Sequence, residues 1–187
     1  MYIRKAIPND SNLIAPLLLL AMEEVFYEFI DTDSYQVAES FLQSLVQLKG
    51  NQYSYENCYV VEINGKIAGV ACIYDGAKLE FLKEKVAREI KSKFNRRFNP
   101  EDETEAGEVY IDCVGVSPDF QGRGIGSKLF EFLINQYVRK QKKTLGLLVD
   151  FENPQAKRLY SRLGFKVVGC RKLAGKIFEH MQIIPAP

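Results

Sequence analysis

Three glycines separate two apolar runs in the segment VGVSPDFQGRGIGSKLF, Val114 to Phe130, and they suggest a specific chemistry. The segment follows a run typical of a strand and leads into a pattern typical of a helix. The first turn of a helix leaves backbone N–H groups without partners and is partly positive, so it attracts phosphate. Glycine lets a phosphate reach those amides, because a side chain would hold it away. The spacing of Gly122, Gly124 and Gly126 therefore predicts a phosphate-binding loop rather than a tight turn without a ligand.

Two common phosphate-binding motifs fit this loop poorly. A P-loop requires G-x-x-x-x-G-K-[ST], which GRGIGSK does not supply. The dinucleotide fingerprint G-x-G-x-x-G accepts Gly122 and Gly124 but finds Ser127 at its third position, although Asp150 could act as the ribose-binding acid. That fingerprint normally opens a doubly wound domain, whereas about two thirds of this chain precedes the loop. A nicotinamide-dependent oxidoreductase is therefore kept only as an alternative.

Together with a second block, the loop resembles the GNAT superfamily of N-acetyltransferases. The hallmark of that family is V-x-P on the fourth strand, followed by [QR]-x-x-G-x-[GA] at the start of a helix. Here these are Val116-Ser117-Pro118 and the stretch Gln121 to Gly126. The family's second block, N-x-x-A-x-x-L-Y-x-x-x-G-F, is unbroken from Asn153 to Phe165. The detailed resemblance spans Val109 to Val168.

The resemblance implies acetyl-CoA as the co-substrate, with no metal. In the family the loop amides bind the pyrophosphate, and the pantetheine arm pairs with the fourth strand, which would place the Val114 N–H near the thioester oxygen. Gly115 is expected to form a β-bulge that opens the sheet there. Asn153 is expected to cap a helix and also to contact the CoA arm. The residues assigned to the cofactor are Val114, Gly115, Val116, Gln121, Gly122, Arg123, Gly124, Ile125, Gly126, Ser127, Asn153 and Tyr160.

Acetyl transfer to an amine would place three demands on the site. The amine must lose a proton before it attacks, because a lysine-like amine with a pKa of ~10.4 is mostly charged at neutral pH. The oxyanion of the tetrahedral intermediate needs fixed N–H donors, and the departing thiolate needs at most a weak acid. By resemblance, Tyr160 is that acid, with its hydroxyl facing the CoA sulfur. The stripe formed by Ala156, Leu159, Tyr160 and Leu163 leaves simple packing as the alternative.

The candidate base lies in the strand EVYIDCVGV. Strict alternation places Asp112 on the same face as Val114, beside the expected thioester, and Glu108 shares that face. Family members often carry a carboxylate on this strand, which removes the amine proton directly or through water. We therefore name Asp112 as the first candidate base and Glu108 as the second, while a solvated acidic face remains the alternative.

The elements that must position these residues can be read from periodicity and turn residues. YIRKAI reads as a strand, a helix begins near Asp10 or Ser11 and runs towards Ile30, and SYQVAESFLQSLVQL is a second helix. NCYVVEI and KIAGVACIYDG form a hairpin around Asn64-Gly65. Lys78 to Phe98 is helical, and an acidic segment follows it. The remaining elements are a helix after the glycine loop, the strand TLGLLVD, a helix from Asn153 to Gly164 and a final antiparallel pair of strands.

Composition favours a single globular domain over residues 1–187, with a helical and acidic insertion at about 78–107. The net charge of +1 predicts no general attraction to nucleic acid or to a membrane surface. The apolar stretch Leu13 to Met22 is too short for a membrane span, and the sequence after Met1 does not resemble a secretory signal. Four scattered cysteines match no zinc spacing and are expected to be buried, reduced thiols of a cytoplasmic protein.

We therefore expect an α/β (α+β) fold in which helices flank one mixed, mostly antiparallel sheet of six to seven strands. The expected function is transfer of the acetyl group of acetyl-CoA to a primary amine, either on a small molecule or on a peptide. The main alternative is a CoA-binding regulator on the same fold, without catalysis. The acidic run from Glu101 to Glu108 either attracts a cationic acceptor or is a solvated loop. The helix from Lys78 to Phe98 is expected to cover the acceptor side of the cleft or to join the subunits of a homodimer.

Overall fold

The computed structural model describes residues 1–186, which form seven strands and five α-helices. The strands are β1 (Tyr2–Lys5), β2 (Cys58–Ile63), β3 (Lys66–Asp75), β4 (Glu108–Val116), β5 (Thr144–Asp150), β6 (Lys166–Leu173) and β7 (Lys176–Ile183). The helices are α1 (Ser11–Ile30), α2 (Tyr35–Gln47), α3 (Leu79–Phe94), α4 (Ile125–Leu133), which continues as a π-helical segment (Ile134–Lys140), and α5 (Pro154–Leu163).

All seven strands belong to one sheet, in the order β1-β2-β3-β4-β5-β7-β6. Only β4 and β5 pair in parallel, and every other neighbouring pair is antiparallel. The expected mixed, mostly antiparallel sheet is thus confirmed. A dinucleotide-binding domain is a parallel, doubly wound sheet, so this topology removes the basis of the nicotinamide alternative.

Two apolar clusters cover the two faces of the sheet. The first packs α1 and α2 against β2 and β3, with fully buried Phe26, Phe41 and Leu45 among its members. The second packs α4 and α5 against β4 and β5, and includes Leu129, Leu133 and Leu147. We call these the α1 face and the α4 face. Each helix buries one apolar stripe because its hydrophobic residues recur with helical periodicity.

Turn and cap residues end the elements where their chemistry predicts. Asn64 and Gly65 both have positive φ, +50° and +75°, and join β2 to β3 as a two-residue hairpin turn. Ser34 caps α2 through its side chain. Asp10 departs from its expected role: it stands at the start of α1 without capping it, because its carboxylate accepts from the Ile7 N–H and from Arg4 instead.

The apolar stretch Leu13 to Met22 lies in the first half of α1, where Ile14, Leu18 and Leu19 are completely buried. Among residues 1–186, no helix is long and apolar enough to cross a membrane. At Met22 the backbone leaves helical geometry, with φ −139° and ψ 19°, so α1 is kinked there. The kink lies over β4, since the Met22 sulfur is 3.9 Å from the Cys113 thiol.

Helix α3 packs on the sheet through the apolar stripe predicted for it. Leu79, Leu82, Val86 and Ile90 are buried, and Leu79 and Leu82 form a small cluster with Tyr74 and Tyr110. The helix ends at Phe94, four residues before the predicted boundary at Phe98. The expected homodimer stays a prediction.

The cysteines depart in one case from the expectation of burial. Cys58, Cys72 and Cys113 are buried and unpaired, whereas Cys170 is exposed on β6. This strand is at the edge of the sheet, and Val167 and Val168 beside Cys170 are also exposed. The apolar residues around Cys170 predicted burial, but β6 is the edge strand of the sheet and leaves this side chain exposed.

Candidate active site

The sheet opens between β4 and β5. The two strands pair from Glu108 with Thr144 to Ile111 with Leu147 and then separate. Beyond that point β4 continues to pair with β3 as far as Val116, and β5 with β7 as far as Asp150. The backbone edge from Asp112 to Val116 therefore faces a gap instead of a neighbouring strand.

The Val114 and Val116 amides point into this gap. The Ser117 N–H donates to the Ala68 carbonyl at 3.0 Å, which directs it towards β3. Because N–H groups alternate along a strand, those of Val114 and Val116 point the other way. An extended chain lying in the gap could therefore pair with this edge.

A β-bulge at Asp112 changes the faces predicted for β4. Cys72 pairs with Cys113 and Ile73 with Ile111, so Asp112 is the extra residue. Val114 consequently packs on the α4 face, whereas Asp112 contacts Tyr74 on the opposite side. The prediction that Asp112 and Val114 share a face is wrong, because a bulge interrupts the strict alternation on which it rested.

Gly115 does not form the bulge, contrary to the prediction. A Cβ on this residue would overlap with the carbonyl group of Leu17 in α1. The glycine is required by the close approach of α1 to β4, which brings the kinked part of the helix over the gap. The bulge that accompanies the opening is three residues earlier.

One cavity of about 680 Å³ runs through the gap and joins the two faces of the sheet. On the α4 side its wall includes Val114, Val149, Asn153 and Tyr160. The wall on the α1 side is formed by the kinked segment of α1, the segments before β2 and β4, and the bulge; it includes Leu20, Met22, Gln52, Tyr53, Phe98, Glu103 and Asp112. Tyr160 and Asp112, predicted from separate motifs, therefore line the same cavity.

The glycine loop begins where β4 ends. Gly122 and Gly124 have φ of +74° and +72°, and no atom lies within 4 Å of the position a Cβ would take at either residue. Glycine is thus required here by the left-handed backbone, and the space beside it is open. The Gln121 side chain donates to the Val116 carbonyl at 3.2 Å, which ties the loop to the strand end.

Helix α4 starts at Ile125, directly behind the loop. Ile125 itself is buried in the core, so only its backbone can face a ligand, while Gly126 and Ser127 are partly exposed. The Arg123 guanidinium lies over the Phe120 ring, 5.4 Å from its centre. The free amides of this first turn, the open glycines and Arg123 form a surface suited to phosphate groups.

Tyr160 and Asn153 are both placed by α5. The Asn153 side chain caps the helix by accepting from the Ala156 N–H at 3.0 Å, which leaves its amide N–H₂ free. The Tyr160 ring packs against Phe130 and Phe165, and its hydroxyl makes no hydrogen bond to any residue in 1–186. Burial raises the pKa of Tyr160 to about 12, so the hydroxyl keeps its proton.

Asp112 belongs to a buried polar cluster on the α1 side of the cavity. The Tyr74 hydroxyl lies 2.9 Å from Asp112 Oδ2 and 2.8 Å from Glu103 Oε1, and Gln52 donates to the same Glu103 oxygen at 2.6 Å. Burial and the nearby Glu103 charge raise the pKa of Asp112 to about 7. Burial also raises the pKa of Glu103. A carboxyl group that titrates near neutrality suits proton transfer.

The segment before β4 is held against the sheet at several points. Glu103 is only 4% exposed, although the acidic residues around it are largely solvated. A Cβ on Gly76 would overlap with the Glu105 carbonyl, and Lys83 of α3 donates to the Pro100 carbonyl at 2.8 Å and to Asp102 at 2.9 Å. The acidic run is thus solvated except at Glu103 and Glu108, and attraction of a cationic acceptor stays a prediction.

Glu108 lies away from the cavity. It is 4% exposed and accepts hydrogen bonds from Thr104 at 2.6 Å and Gln182 at 2.8 Å, and His180 Nε2 lies 2.9 Å from its carboxylate. Burial would raise its pKa, but these hydrogen bonds together lower it. The Glu108 carboxylate is fully engaged in hydrogen bonds and does not reach the gap between β4 and β5. This position suits a residue that holds strands together, and the geometry does not favour Glu108 as the base.

Sequence reasoning did not single out Gln52 or Tyr74, and it treated Glu103 only as one member of a charged run. The three residues come from the segment before β2, from β3 and from the segment before β4. Tyr74 is the one with a local signal, since it is a hydroxyl-bearing residue that ends the apolar run of β3.

Comparisons with known proteins agree with this architecture. A crystal structure described only as an acetyltransferase superposes with a TM-score of 0.83 and 30% identity over the whole of both chains. An N-acetyltransferase from Staphylococcus aureus gives 0.82 at 22% identity, covering 98% of this chain and 100% of that one. The structure of yncA from Salmonella typhimurium, determined with its cofactor acetyl-CoA, covers this chain fully with a TM-score of 0.58, 21% identity and 95% of its own chain.

Curated relatives match shorter stretches. An uncharacterised N-acetyltransferase from Methanocaldococcus jannaschii is 31% identical over 109 residues, which are 58% of this chain and 38% of that protein. Mycothiol acetyltransferase from Corynebacterium aurimucosum is 35% identical over 71 residues, 38% of this chain and 23% of the relative. The alanine N-acetyltransferase of ribosomal protein bS18 from Salmonella typhimurium is 41% identical over 65 residues, 35% of this chain and 44% of the enzyme. The chain therefore spans less than half the length of these relatives. The sequence model of the acetyltransferase (GNAT) family matches residues 22–165, and the chain belongs to that family.

Proposed function

We propose that this protein is a single-domain N-acetyltransferase that transfers the acetyl group of acetyl-CoA to a primary amine. The observation that carries the proposal is the cavity through the gap between β4 and β5. It places Tyr160 and the β4 edge on one wall, and Asp112, which titrates near neutrality, on the other. A CoA-binding regulator without catalysis would have no need for this pairing of an acid and a base.

The residues present fit acetyl-CoA. The open backbone of Gly122 to Gly126 and the first turn of α4 would bind its pyrophosphate, with Arg123 alongside. The pantetheine arm would lie along the β4 edge and pair with Val114 and Val116, and the free amide of Asn153 would contact it from α5. The structure of yncA, which has the same fold, was determined with acetyl-CoA, and this supports acetyl-CoA as the ligand. Bound acetyl-CoA would supply an activated acetyl group and a thiolate leaving group.

On the acceptor side, Asp112 would remove a proton from the amine. The nitrogen lone pair would then attack the thioester carbonyl, and the Val114 N–H would donate to the oxyanion that forms. On collapse of the tetrahedral intermediate the C–S bond would break and the nitrogen would release its second proton to solvent. The Tyr160 hydroxyl would give its proton to the departing sulfur and regain one from solvent. Asp112 and Tyr160 thus act at opposite ends of one proton path, with the gap in the sheet between them.

The charge of the cavity favours a cationic acceptor. Its wall carries carboxylates from α1, the segment before β4, the bulge, the end of β5 and the β5–α5 connection, namely Glu23, Glu24, Glu103, Asp112, Asp150 and Glu152. Lys176 is the basic residue on this wall, and it pairs with Glu24 at 2.7 Å. A small polyamine-like or aminoglycoside-like amine, or a basic peptide N-terminus, matches this field. That one relative acetylates an alanine of a ribosomal protein is consistent with a peptide acceptor.

The cysteines suit a reducing compartment. Cys58, Cys72 and Cys113 are buried free thiols, and none of them has formed a disulfide. Free thiols are usual in the cytoplasm, where glutathione keeps them reduced. We propose the cytoplasm as the place of action.

The decisive experiment combines acetyl-CoA binding with turnover. Calorimetry should detect acetyl-CoA binding, and release of free CoA should depend on an added amine when small amines, amino acids, aminoglycosides and peptides are screened. The Asp112→Asn protein should bind acetyl-CoA normally but transfer acetyl groups about 10²–10⁴-fold more slowly near neutral pH. Its deficit should shrink at alkaline pH, where more of the amine is already neutral.

Two results would contradict the proposal. Binding of acetyl-CoA without turnover on any amine of the panel would favour the regulator. A pH–rate profile of Asp112→Asn parallel to that of the unsubstituted protein would remove Asp112 from the mechanism. Mass spectrometry of any co-purified ligand provides an independent check on the identity of the bound nucleotide.

A further inference from the structure

The Tyr74 hydroxyl touches two carboxyl groups at once. Its oxygen lies 2.8 Å from Glu103 Oε1 and 2.9 Å from Asp112 Oδ2, and Gln52 Nε2 approaches it at 3.3 Å. A hydroxyl has a single proton, so it can donate to only one of the two carboxyl oxygens. The second short contact is a hydrogen bond only if the other carboxyl carries a proton and donates it to the Tyr74 oxygen.

The surroundings supply too few donors for two charged carboxylates. Glu103 Oε2 is buried and has no hydrogen-bond partner, and the same holds for the neighbouring Gln52 Oε1. The Tyr74 O–H and one Gln52 N–H are therefore the side-chain donors that reach Glu103. Two buried carboxylates this close are costly when both are ionised, so one proton resides on the pair in this geometry.

We propose that Tyr74 and Glu103 are positioning residues of the acetyl-transfer reaction: they join Asp112 in one hydrogen-bonded carboxyl pair, and this pair accepts the proton of the acceptor amine. The inference rests on the proposed function. The pair becomes a base once the shared proton has left to solvent, which gives the pair a charge of −2. In the step itself an N–H bond of the ammonium breaks and an O–H bond forms at Asp112, so the charge returns from −2 to −1. The negative Glu103 makes Asp112 a stronger base, and the Tyr74 hydroxyl holds the carboxyl group at the gap.

The other groups that face Asp112 are neutral near pH 7. They are Tyr53 from the segment before β2, Cys72 on β3, and Tyr110 and Cys113 on β4. Burial raises the pKa of Tyr53, Tyr110 and Cys113. A hydrogen bond and burial together raise the pKa of Cys72. Farther along the cavity wall, Glu23 and Glu24 lie on α1, and Lys176 pairs with Glu24. Glu103 is therefore the charge that acts on Asp112 most directly.

The proposal predicts opposite effects of two near-isosteric substitutions. Glu103→Gln removes the like charge, so the midpoint of the Asp112 titration should move to lower pH by about one unit. Tyr74→Phe keeps the ring and removes the donor that favours ionised Asp112, so the midpoint should move to higher pH. Tyr110→Phe is the matched control, because its ring packs 5.7 Å from Tyr74 and its hydroxyl is not bonded to Asp112.

The midpoint can be measured without any assay of acetyl transfer. Carbon-13 NMR of the aspartate and glutamate carboxyl groups in the free protein follows Asp112 directly, and the signal is assigned by its loss in Asp112→Asn. In the unsubstituted protein the Glu103 signal should respond at the same pH as Asp112, which tests the shared proton even if a variant does not fold. The acidic limb of the pH dependence of kcat/KM should move in the same directions as the NMR midpoints.

The inference would be overturned if Glu103 and Asp112 titrated independently, or if Tyr74→Phe shifted the midpoint downwards or not at all. Failure of the proposed function has a different signature. In that case no amine would be acetylated, while the coupled titration would still be present. Acetyl transfer with an unshifted acidic limb in both variants would instead contradict the positioning role alone.

Discussion

The carboxylate of Glu108 on β4 occupies the space beside Gly146 on β5 where any other residue would carry its Cβ. The two residues lie next to each other across the parallel pairing that closes the narrow end of the gap. From there Glu108 also reaches Thr104, His180 and Gln182, so it joins β4 to β7 across β5. This position predicts a contribution to stability rather than to chemistry.

Glu108→Gln should therefore lower the thermal stability without changing the pH dependence of turnover. Because the pKa of Glu108 is lowered in the folded protein, its ionised form is favoured there, and its contribution is complete above the ordinary carboxyl pKa of ~4.3. That contribution is lost as the pH falls through the lowered value. Melting temperatures measured from pH 7 down to about pH 3 should converge for the two proteins. A constant difference over that range would contradict the prediction.

Gly115→Ala should destabilise the protein by about 1–3 kcal/mol or prevent folding, because its Cβ would overlap with the Leu17 carbonyl and push α1 away from β4. Gly169→Ala is the matched control, since Gly169 is also a strand glycine but has no atom within 4 Å of the Cβ position. Denaturant unfolding of both variants measures the difference. Equal midpoints would show that α1 adjusts to the added methyl group.

Gly124→Glu should abolish acetyl-CoA binding, because a carboxylate would stand where the pyrophosphate is expected. The substitution also strains a backbone with φ of +72°. Gly65→Glu controls for that strain, since Gly65 has φ of +75° and equally open surroundings in the hairpin between β2 and β3. Calorimetry should show lost binding for the first variant and normal binding for the second, with native circular dichroism for both. Unchanged affinity of Gly124→Glu would refute the loop assignment.

Tyr160→Phe should lower kcat and leave acetyl-CoA affinity unchanged, because the ring still packs on Phe130 and Phe165 and only the hydroxyl is lost. General acid catalysis typically raises the reaction rate about 10²–10⁴-fold. Because a thiolate leaves readily without protonation, the fall in kcat on loss of the hydroxyl should lie at the lower end of this range. Steady-state kinetics with the amine found in the screen, together with calorimetry, separates the two effects. Phe178→Leu is an informative comparison, because it changes the apolar cavity wall without removing a hydroxyl.

Asp112→Asn should stabilise the folded protein at alkaline pH. The pKa of Asp112 is raised to about 7 in the folded state. At pH values above the ordinary aspartate pKa, the ionised side chain therefore lowers the free energy of unfolding, and this destabilisation is complete above about pH 7. Removing the charge removes that cost. Thermal unfolding at pH 5 and pH 9 should show a larger gain for the variant at pH 9. A loss of stability at both pH values would mean that the carboxylate holds the cluster together instead.

Much of the site could be predicted from residues that lie close together in the sequence. The glycine loop, the Asn153 cap and the Tyr160 position all depend on spacing within one strand–loop–helix segment or one helix. The hairpin at Asn64-Gly65 and the antiparallel pairing of the last two strands likewise follow from local turn chemistry and alternation. Local patterns carry this information because backbone conformation and amphipathic periodicity are determined over a few residues.

The tertiary structure decided which carboxylate can act as a base. Glu108 and Asp112 lie four residues apart on one strand. Glu108 is held in a complete hydrogen-bond network with neighbouring strands, whereas the bulge places Asp112 on the cavity wall. Tyr74 meets partners 29 and 38 residues away in Glu103 and Asp112, and Gln52 lies 22 residues before it. Such contacts arise only when separate elements pack, so no periodicity in one segment encodes them. The raised pKa of Asp112 is a product of that packing, because burial and the Glu103 charge exist only in the folded chain.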